Sequence, residues 1–242
     1  MNLNVVMATL PDIQKVVSIL SGGLDSTTLT HLLVKRYGTE NVAALTFNYG
    51  QKQVLETSKA QFTCAELGIR HKVLDISFIG DIVRPVSANV QGSTIAMPTI
   101  KDVLGVPQSP TYVPARNAIL LTISYAFAEA NSCDGIFAAF QTQDEYGYYD
   151  TTEEFVLRFN SMFQLNRLHN IVAYAPFGRL DKASEIAIGI ELGVNYASTL
   201  TCYNPDFGIS CGVCPSCAER IRGFIKNGIR DPAPYAIDIK WS

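Results

Sequence analysis

The segment at residues 21–26, Ser-Gly-Gly-Leu-Asp-Ser, has a composition suited to binding phosphate. An apolar run at residues 16–20 precedes it and predicts a strand, and a helical pattern with Leu29, Leu32 and Leu33 follows it. Adjacent glycines allow a sharp turn and close approach to a ligand, and the N-terminus of a helix offers unpaired N–H groups. The segment therefore predicts a phosphate-binding loop. The alternative is a Gly-Gly turn whose Asp and Ser only cap the helix.

Two cations are candidates for contact with the same anion. Arg116 stands at the start of a predicted buried helix, residues 116–133, beside a proline-rich segment. Its guanidinium could bind a phosphate or carboxylate as a fork, or it could neutralise a nearby aspartate. Lys182 follows Asp181, a natural N-cap, and so lies in the first turn of another predicted helix, where cations are mildly disfavoured. A bound anion would reverse that preference, and a solvent-facing lysine is the alternative.

Four of the six cysteines lie close together near the C-terminus. The spacing of Cys202, Cys211, Cys214 and Cys217 brings three thiolates together and returns the fourth through a longer loop. This arrangement predicts a tetrahedral zinc site, and it is predicted to be structural because four thiolates leave no position for water. An iron–sulfur cluster is the alternative. A nucleic-acid-binding zinc ribbon is less favoured, because few basic residues lie nearby and no stacking platform is evident.

Strands and helices alternate along the chain. Apolar, β-rich runs predict strands at residues 16–20, 42–50, 73–76, 135–140 and 171–174, with helices between them. This alternation predicts an α/β fold, a Rossmann-like parallel five-stranded sheet with helices on both faces. The phosphate loop and the polar residues 141–150 both follow strand ends, which is the side where such sheets bind ligands.

The predicted organisation is a large α/β domain, residues 1–198, followed by a small zinc-binding subdomain and tail, residues 199–242. Residues 80–114 hold several prolines and sustain no period, which predicts a long loop insertion of the kind that often covers a binding site. A solvated loop without a function is the alternative. The apolar tail, residues 229–242, is expected to pack either on a second copy of the chain or on its own core.

The composition excludes several classes of protein. With 242 residues, of which 48% are hydrophobic and 17% charged, the chain is too apolar for a disordered protein and long enough for an enzyme domain. A formal net charge of −3 offers no general attraction to nucleic acid or anionic membranes. The sequence contains no apolar run of about 18 residues and no signal-peptide pattern, so we expect a cytoplasmic protein.

The loop lacks the Gly-Lys-Ser/Thr ending of a Walker A sequence and the Gly-x-Gly-x-x-Gly spacing of a dinucleotide fingerprint. It resembles the PP-loop of ATP pyrophosphatases, which cleave ATP to AMP and pyrophosphate and use the AMP to activate a carboxyl or carbonyl oxygen. Within this superfamily the chain is similar to the QueC family, the 7-cyano-7-deazaguanine synthases. The resemblance is carried by the four cysteines and by residues 21–28, 48–51, 113–117, 180–185 and 200–203.

The resemblance implies an adenine nucleotide alpha hydrolase-like fold and an ATP-dependent carbon–nitrogen ligase that forms AMP. In the implied reaction, ATP activates the carboxylate of 7-carboxy-7-deazaguanine as an acyl-adenylate, and ammonia displaces AMP to give an amide. A second activation then dehydrates the amide to the nitrile. The resemblance also implies Mg²⁺ with the ATP, a homodimer, and a product used in queuosine or related deazapurine modification.

The resemblance, together with the chemistry of a departing pyrophosphate, implies roles for individual residues. The implied catalytic residues are Asp25, Ser26, Arg116 and Lys182: the cations offset charge on phosphate, and Asp25 helps to orient Mg²⁺ or the loop. The implied ATP-binding residues are Leu20, Ser21, Gly22, Gly23, Leu24, Asp25, Ser26, Thr27, Phe47 and Asn117. The implied substrate-binding residues are Tyr49, Gln51, Asp144, Tyr148 and Asp150.

One segment departs from the family pattern. Where the family usually has Asp-x-Ser-Gly-Tyr-Pro-Asp-Cys-Arg, residues 144–152 read Asp-Glu-Tyr-Gly-Tyr-Tyr-Asp-Thr-Thr. Loss of the arginine could change which carboxylate or amine is accommodated. The alternative function is a QueC-like ligase that stops at an amide and joins the deazaguanine to another amine, for example on a protein. A tRNA-modifying PP-loop enzyme, which the acidic balance disfavours, and a non-catalytic ATP-binding regulator are the remaining alternatives.

Overall fold

The structure is a computed structural model that describes residues 2–53, 55–98, 102, 108–141 and 148–241. Its strands are β1 (Val16–Ile19), β2 (Val42–Asn48), β3 (Arg70–Asp75), β4 (Gly135–Phe137) and β5 (Val172–Tyr174). They form one parallel sheet in the order β3-β2-β1-β4-β5. The predicted fold class is therefore confirmed.

The central strand, β1, is where the chain order reverses. Its register pairs Val17 with Ala43 of β2 on one side and with Ile136 of β4 on the other. β1 is buried up to its last residue, and so is β2, which explains the continuous apolar runs in their sequences. Doubly wound sheets form their ligand crevice at such a reversal, beyond the carboxyl ends of the strands. The loop at residues 21–26 follows β1 at this point.

Helices connect the strands and cover both faces of the sheet. They are α1 (Leu3–Thr9), α2 (Leu24–Tyr37), α3 (Leu55–Leu67), α4 (Phe78–Val83), α5 (Arg116–Ala130), α6 (Glu153–Phe163), α7 (Lys182–Glu191) and α8 (Pro215–Lys226). One buried core joins α1, α2, α3 and α7 to the sheet through residues such as Leu32 and Ile188. The core on the other face joins α4, α5 and α6 through Ile79, Leu121 and Phe159.

The C-terminal segment packs on its own chain. Arg220 of α8 is 1% exposed and donates two hydrogen bonds to the Asp231 carboxylate, at 2.6 and 2.9 Å. The Tyr235 hydroxyl donates to the same carboxylate at 2.6 Å. Trp241 packs against a small core that contains Leu24 of α2. Of the two alternatives for the tail, packing on the chain's own core is therefore the one observed.

Several element boundaries differ from those predicted. α1 and α4 were not predicted, because helices of 7 and 6 residues are too short to show a clear period. α4 occupies the start of the predicted insertion, of which residues 99–101 and 103–107 lie outside the described residues. β4 ends at Phe137, and residues 138–140 instead line a cavity. In the part of the chain that the structure describes, no helix has the length and apolar character needed to cross a membrane.

Candidate active site

A cavity of about 320 Å³ lies at the carboxyl ends of β1, β2 and β4. It is lined by most of the residues that the sequence singled out: Leu20, Ser21, Gly23, Leu24, Asp25, Ser26, Phe47, Tyr49, Gln51, Arg116, Asn117, Tyr148 and Lys182. Residues not predicted for the site also line it, among them Glu56, Gln141, Thr201, Tyr203 and Glu219. The fold thus brings the loop and both candidate cations to one place.

Glycine is required at the second position of the loop. Gly22 has φ +90°, a left-handed conformation that side-chain-bearing residues rarely adopt. A Cβ there would also lie 2.3 Å from the carbonyl oxygen of Glu56 and 2.8 Å from the backbone nitrogen of Ala60. The loop therefore packs directly on the first turns of α3, and Gly22 shapes it from outside the cavity.

Two serines hold the loop in a tight conformation. The Ser21 N–H donates to Ser26 Oγ at 3.1 Å, and the two Oγ atoms are 3.0 Å apart. The Gly23 N–H donates to Ser21 Oγ at 3.2 Å, and Gly23 itself caps α2 without a side chain. Both serines and the start of α2 line the cavity, which is the arrangement that binds phosphate in other proteins.

Three of the predicted residues do not line the cavity, and a fourth lies outside the described residues. Thr27 is 1% exposed, and its hydroxyl has no hydrogen-bond partner among the described residues. Gly22 and Asp150 also lie outside the cavity wall. Asp144 falls in the segment 142–147, which the structure does not describe. The functional roles of all four stay predictions.

Lys182 joins the loop to α7 through a buried charge cluster. Its Nζ donates to Asp25 Oδ1 at 2.5 Å and lies 3.5 Å from Glu185 Oε2. The Lys182 side chain is 11% exposed and that of Glu185 is fully buried. Gln141, which follows β4, donates to Glu185 Oε1 at 2.7 Å. Asp181 caps α7 as predicted, accepting from the Ser184 N–H at 2.9 Å.

The pKa values of the three titratable groups in this cluster are shifted in the folded protein. Burial would raise the pKa of the Asp25 carboxyl, but the charge of Lys182 and hydrogen bonds from Glu185 and Lys182 lower it below its ordinary value. Burial raises the pKa of Glu185 well above its ordinary value, although Lys182 opposes this. Burial disfavours the Lys182 cation, but both carboxyls raise its pKa. The Lys182 ammonium is therefore favoured beside the Asp25 carboxylate, and Glu185 holds its proton more tightly than an exposed glutamate does.

Glu185 is a site residue that sequence reasoning left without a role. The spacing of Lys182 and Glu185 on a predicted helix placed them on one face, because residues three apart are neighbours there. Its complete burial depends on Gln141 and the loop, which are distant in sequence, and no local pattern reports that contact.

Arg116 also lines the cavity, in contact with Tyr49. Its Nη1 donates to the Tyr49 hydroxyl at 3.4 Å, its Nε donates to Asn117 Oδ1 at 3.1 Å, and the guanidinium stands 5.7 Å from the centroid of the Tyr49 ring. Burial disfavours the Arg116 cation, but Tyr49 and Asp150 raise its pKa. It therefore keeps its charge and presents it beside an aromatic ring.

The other predicted substrate residues support the walls of the cavity. Asp150 accepts from the Asn117 N–H at 3.2 Å, so it caps the start of α5 and orients Arg116. Gln51 accepts from the Tyr49 N–H at 2.9 Å and donates to the Phe47 carbonyl at 3.1 Å, which closes the turn after β2. The Tyr148 hydroxyl is hydrogen-bonded to the Thr111 hydroxyl. These contacts leave the rings of Tyr49 and Tyr148 as cavity walls.

The four clustered cysteines are arranged to hold a metal ion. Their Sγ atoms all lie within 4.8 Å of one another, and three of the four residues are buried. A tetrahedral zinc with Zn–S bonds of about 2.3 Å would place its sulfurs about 3.8 Å apart. Backbone N–H groups of Cys211 and Cys214 donate to neighbouring sulfurs at 3.2 and 3.4 Å, which favours thiolates. The four cysteines therefore fit a metal ion coordinated by four sulfur atoms.

The cysteine segment also contacts the loop. The Leu200 N–H donates to the Gly22 carbonyl at 3.1 Å, and the Leu24 N–H donates to Thr201 Oγ1 at 3.4 Å. Arg220 in turn donates to Thr201 Oγ1 at 3.1 Å, and Thr201 directly precedes Cys202. A metal bound by the cysteines would therefore order a segment that supports the loop at residues 21–26.

A parallel sheet in this order, with a Ser-Gly-Gly-x-Asp-Ser loop at its reversal point, defines a PP-loop α/β protein. A family model described as queuosine biosynthesis protein QueC matches residues 15–228, and the chain belongs to this family.

Relatives of similar length support the assignment. The 7-cyano-7-deazaguanine synthase 1 of Colwellia psychrerythraea is 34% identical over 230 residues, covering 92% of this chain and 99% of that protein. The 7-cyano-7-deazaguanine synthase of Paramagnetospirillum magneticum is 37% identical over 227 residues, covering 90% and 97%. Among solved structures, NMN synthetase from Francisella tularensis shares the fold, with a TM-score of 0.51 and 15% identity over 94% of this chain and 84% of that one.

Proposed function

We propose that the protein is an AMP-forming ligase that uses ATP to convert 7-carboxy-7-deazaguanine and ammonia to 7-cyano-7-deazaguanine. Family membership supports the substrate and product, because the relatives carry the name of this synthase. The observation that carries the mechanism is the shared cavity: the loop serines, the start of α2, Lys182 and Arg116 all line it. We also propose that the protein is located in the cytoplasm, because the family consists of biosynthetic enzymes.

In the first step, a carboxylate oxygen of the substrate attacks the α-phosphorus of ATP, and the bond from that phosphorus to the pyrophosphate oxygen breaks. Negative charge then grows on the departing pyrophosphate. We assign its stabilisation to hydrogen bonds from the N-terminus of α2 and from the Ser21 and Ser26 hydroxyls, and to the charge of Lys182, which is held 2.5 Å from Asp25. Arg116 lines the same cavity and is assigned to the α-phosphate side.

Asp25 is the proposed ligand for Mg²⁺. Its side chain is 28% exposed, and it stays a carboxylate at neutral pH because Lys182 lowers its pKa. Carboxylate and phosphate oxygens are the ligands that Mg²⁺ prefers, together with water. The metal would supply further charge neutralisation on the pyrophosphate, and Lys182 would hold Asp25 in place to receive it.

Two further steps complete the proposed reaction. Ammonia attacks the acyl carbon, the C–N bond forms, and AMP leaves with the oxygen that came from the carboxylate. A second ATP then adenylates the amide oxygen. Loss of AMP together with the remaining amide protons yields the nitrile. The four cysteines are proposed to hold structural Zn²⁺, since four thiolates leave no open position for substrate.

The test is mass spectrometry of products after incubation of the protein with ATP, Mg²⁺, 7-carboxy-7-deazaguanine and ammonium chloride. Nitrile and AMP are the expected products. Lys182→Met should lower kcat by about 10²–10³-fold, the usual effect of removing one preorganised charge contact. Lys226→Met is the matched control, because the Lys226 side chain is 65% exposed, pairs with Asp181 at 3.4 Å and does not line the cavity. Absence of AMP under all these conditions would contradict the proposal.

One observation favours a second candidate, a ligase that stops at the amide. Thr152 stands where the family usually has arginine, and its hydroxyl accepts from the Phe155 N–H at 3.1 Å as the N-cap of α6. That position therefore supplies no cation to the acceptor side of the site. AMP release with an amide as the final product, or with a deazaguanine mass added to a protein amine, would establish this candidate.

We also propose a homodimer. The C-terminal segment exposes apolar side chains, with Phe207 97%, Val213 56% and Ile237 45% exposed, and contiguous exposed apolar surface often marks an interface. Light scattering of the purified protein measures the mass directly. We expect the unaltered protein to have the mass of a dimer. The double variant Phe207→Ser, Val213→Ser should have the mass of a monomer. A monomer mass for the unaltered protein would contradict it.

A further inference from the structure

Glu56 is an acidic residue of the cavity wall to which no role has been given. Among the described residues, the acidic groups that line the cavity are Asp25, Glu56 and Glu219. Asp25 pairs with Lys182, and Glu219 acts electrostatically on the same lysine. The Glu56 carboxyl, by contrast, makes no hydrogen bond or ion pair with any residue in the described ranges. It is therefore available to a ligand in the cavity.

The backbone places Glu56 next to the loop at residues 21–26. It lies in the first turn of α3, and its own carbonyl oxygen is the atom on which Gly22 packs. Glu56 is also one of the residues that line the cavity. Arg116 and Tyr49 line the same cavity and lie close enough to interact with Glu56, since Arg116 acts electrostatically on the Glu56 carboxyl and Glu56 in turn acts on Tyr49.

The surroundings of Glu56 make it a base of suitable strength. Burial raises its pKa to about 8, although the charge of Arg116 opposes this. The general base of an enzyme works best when its pKa lies near the operating pH. The titratable groups that share the cavity with it are Arg116 on α5, Asp25 on α2, Lys182 on α7, Glu219 on α8, and the tyrosines at positions 49, 148 and 203.

We propose that Glu56 is the catalytic base that removes a proton from ammonium so that ammonia can attack the acyl-adenylate. The inference rests on the proposed function, since it assigns the amine step of that reaction. In its ionised form the Glu56 carboxylate attracts the ammonium cation, and the same carboxylate then accepts a proton from it.

The protons and bonds balance as follows. One proton passes from ammonium to a Glu56 oxygen, and the freed lone pair on nitrogen forms the C–N bond. The bond between the acyl carbon and the phosphate oxygen breaks, and AMP leaves with that electron pair. The second nitrogen proton, lost as the amide forms, goes to the departing phosphate oxygen. Glu56 then returns its proton to water.

Glu56→Gln tests the assignment, because it keeps the shape of the side chain and removes its basicity. The first half-reaction is measured by ATP–pyrophosphate exchange in the presence of 7-carboxy-7-deazaguanine and without amine. The second is measured as amide formed from ammonium chloride. We expect exchange to stay within about threefold of the unaltered protein, whereas amide formation at about pH 7 falls by about 10²–10⁴-fold. Glu66→Gln, the same change at an exposed position of α3, is the control and should alter neither.

Two further measurements separate a base from a structural residue. Hydroxylamine is already a neutral nucleophile near pH 7, so Glu56→Gln should still form the hydroxamate at close to the normal rate. The difference in the rate of amide formation between Glu56→Gln and the unaltered protein should become smaller as the pH rises above about 8, because a growing fraction of the ammonium is then free ammonia, which needs no base.

Equal losses in exchange, amide and hydroxamate formation would overturn the proposal and place Glu56 in substrate binding. Normal amide formation by Glu56→Gln would overturn it as well. Absence of exchange in the unaltered protein is a different outcome, because it contradicts the proposed function itself.

Discussion

Replacement of Glu185 by glutamine should stabilise the protein near neutral pH. The Glu185 side chain is fully buried, and its pKa is raised well above the ordinary value of 4.5, chiefly by burial. A carboxyl with a raised pKa binds its proton more tightly in the folded state, so its contribution to stability is fully present below the unfolded pKa and is lost as pH rises. The loss continues up to the folded pKa.

The size of the effect follows from the pH window. Each pH unit between the ordinary pKa of 4.5 and the raised folded-state pKa costs about 1.4 kcal/mol of unfolding free energy, because the buried carboxyl stays protonated over that range. A glutamine side chain at this position cannot ionise and would avoid that cost. Its amide oxygen can accept from Gln141 as Glu185 Oε1 does at 2.7 Å, and its amide N–H groups can donate to Asp25 as the carboxylic acid does.

Urea unfolding at a series of pH values measures this prediction. The free energy of unfolding of Glu185→Gln should match that of the unaltered protein near pH 4.5 and exceed it above that pH, by an amount that grows by up to about 1.4 kcal/mol per pH unit. Glu191→Gln, at an exposed position of the same helix, is the control and should give no gain that grows with pH. A loss of stability for Glu185→Gln that grows with pH would refute the reasoning, because it would mean that Glu185 is ionised and paired with Lys182.

Three other predictions concern the loop, the metal and the C-terminal ion pair. Gly22→Ala should abolish ATP binding in calorimetry, because alanine rarely adopts a φ of +90° and its Cβ would lie 2.3 Å from the Glu56 carbonyl oxygen. Gly228→Ala is the control: its φ is +66° but its Cβ would meet nothing within 4 Å, so it should bind ATP normally. If the cysteines hold a metal as proposed, its removal with a chelator should lower both Tm and the rate of ATP–pyrophosphate exchange. Full exchange by the metal-free protein would argue that the cysteine segment does not support the loop. Asp231→Asn should cost about 3–5 kcal/mol of unfolding free energy in urea, since it leaves the Arg220 cation buried without a counter-charge; a cost below about 1 kcal/mol would contradict this.

Much of the fold could be predicted because its signals are local. The apolar runs of β1 and β2 are continuous since both strands are buried on both faces, and Asp181 caps α7 through a contact three residues away. The cysteine spacing likewise predicted a cluster that the structure shows within 4.8 Å. α1 and α4 were missed because one or two helical turns do not establish a period.

The parts of the site that could not be predicted depend on distant contacts. The family resemblance implied that Thr27 binds ATP, whereas its position on α2 turns its side chain into the core, where the residue is 1% exposed. Asp150 reaches the N-terminus of α5 across 33 positions of sequence. Burial of Glu185 beneath Gln141, and a Glu56 carboxyl without a partner among the described residues, become evident only in the folded chain.

Transfer of the α-phosphate of ATP to a substrate carboxylate is the central reaction proposed for this cavity. It is tested most directly with 7-carboxy-7-deazaguanine whose carboxylate carries heavy oxygen, incubated with the protein, ATP, Mg²⁺ and ammonium chloride. Mass spectrometry of the nucleotide should find one heavy oxygen in the phosphate of AMP and none in pyrophosphate. Formation of ADP with heavy oxygen in inorganic phosphate would instead show attack on the γ-phosphorus and contradict the proposed reaction.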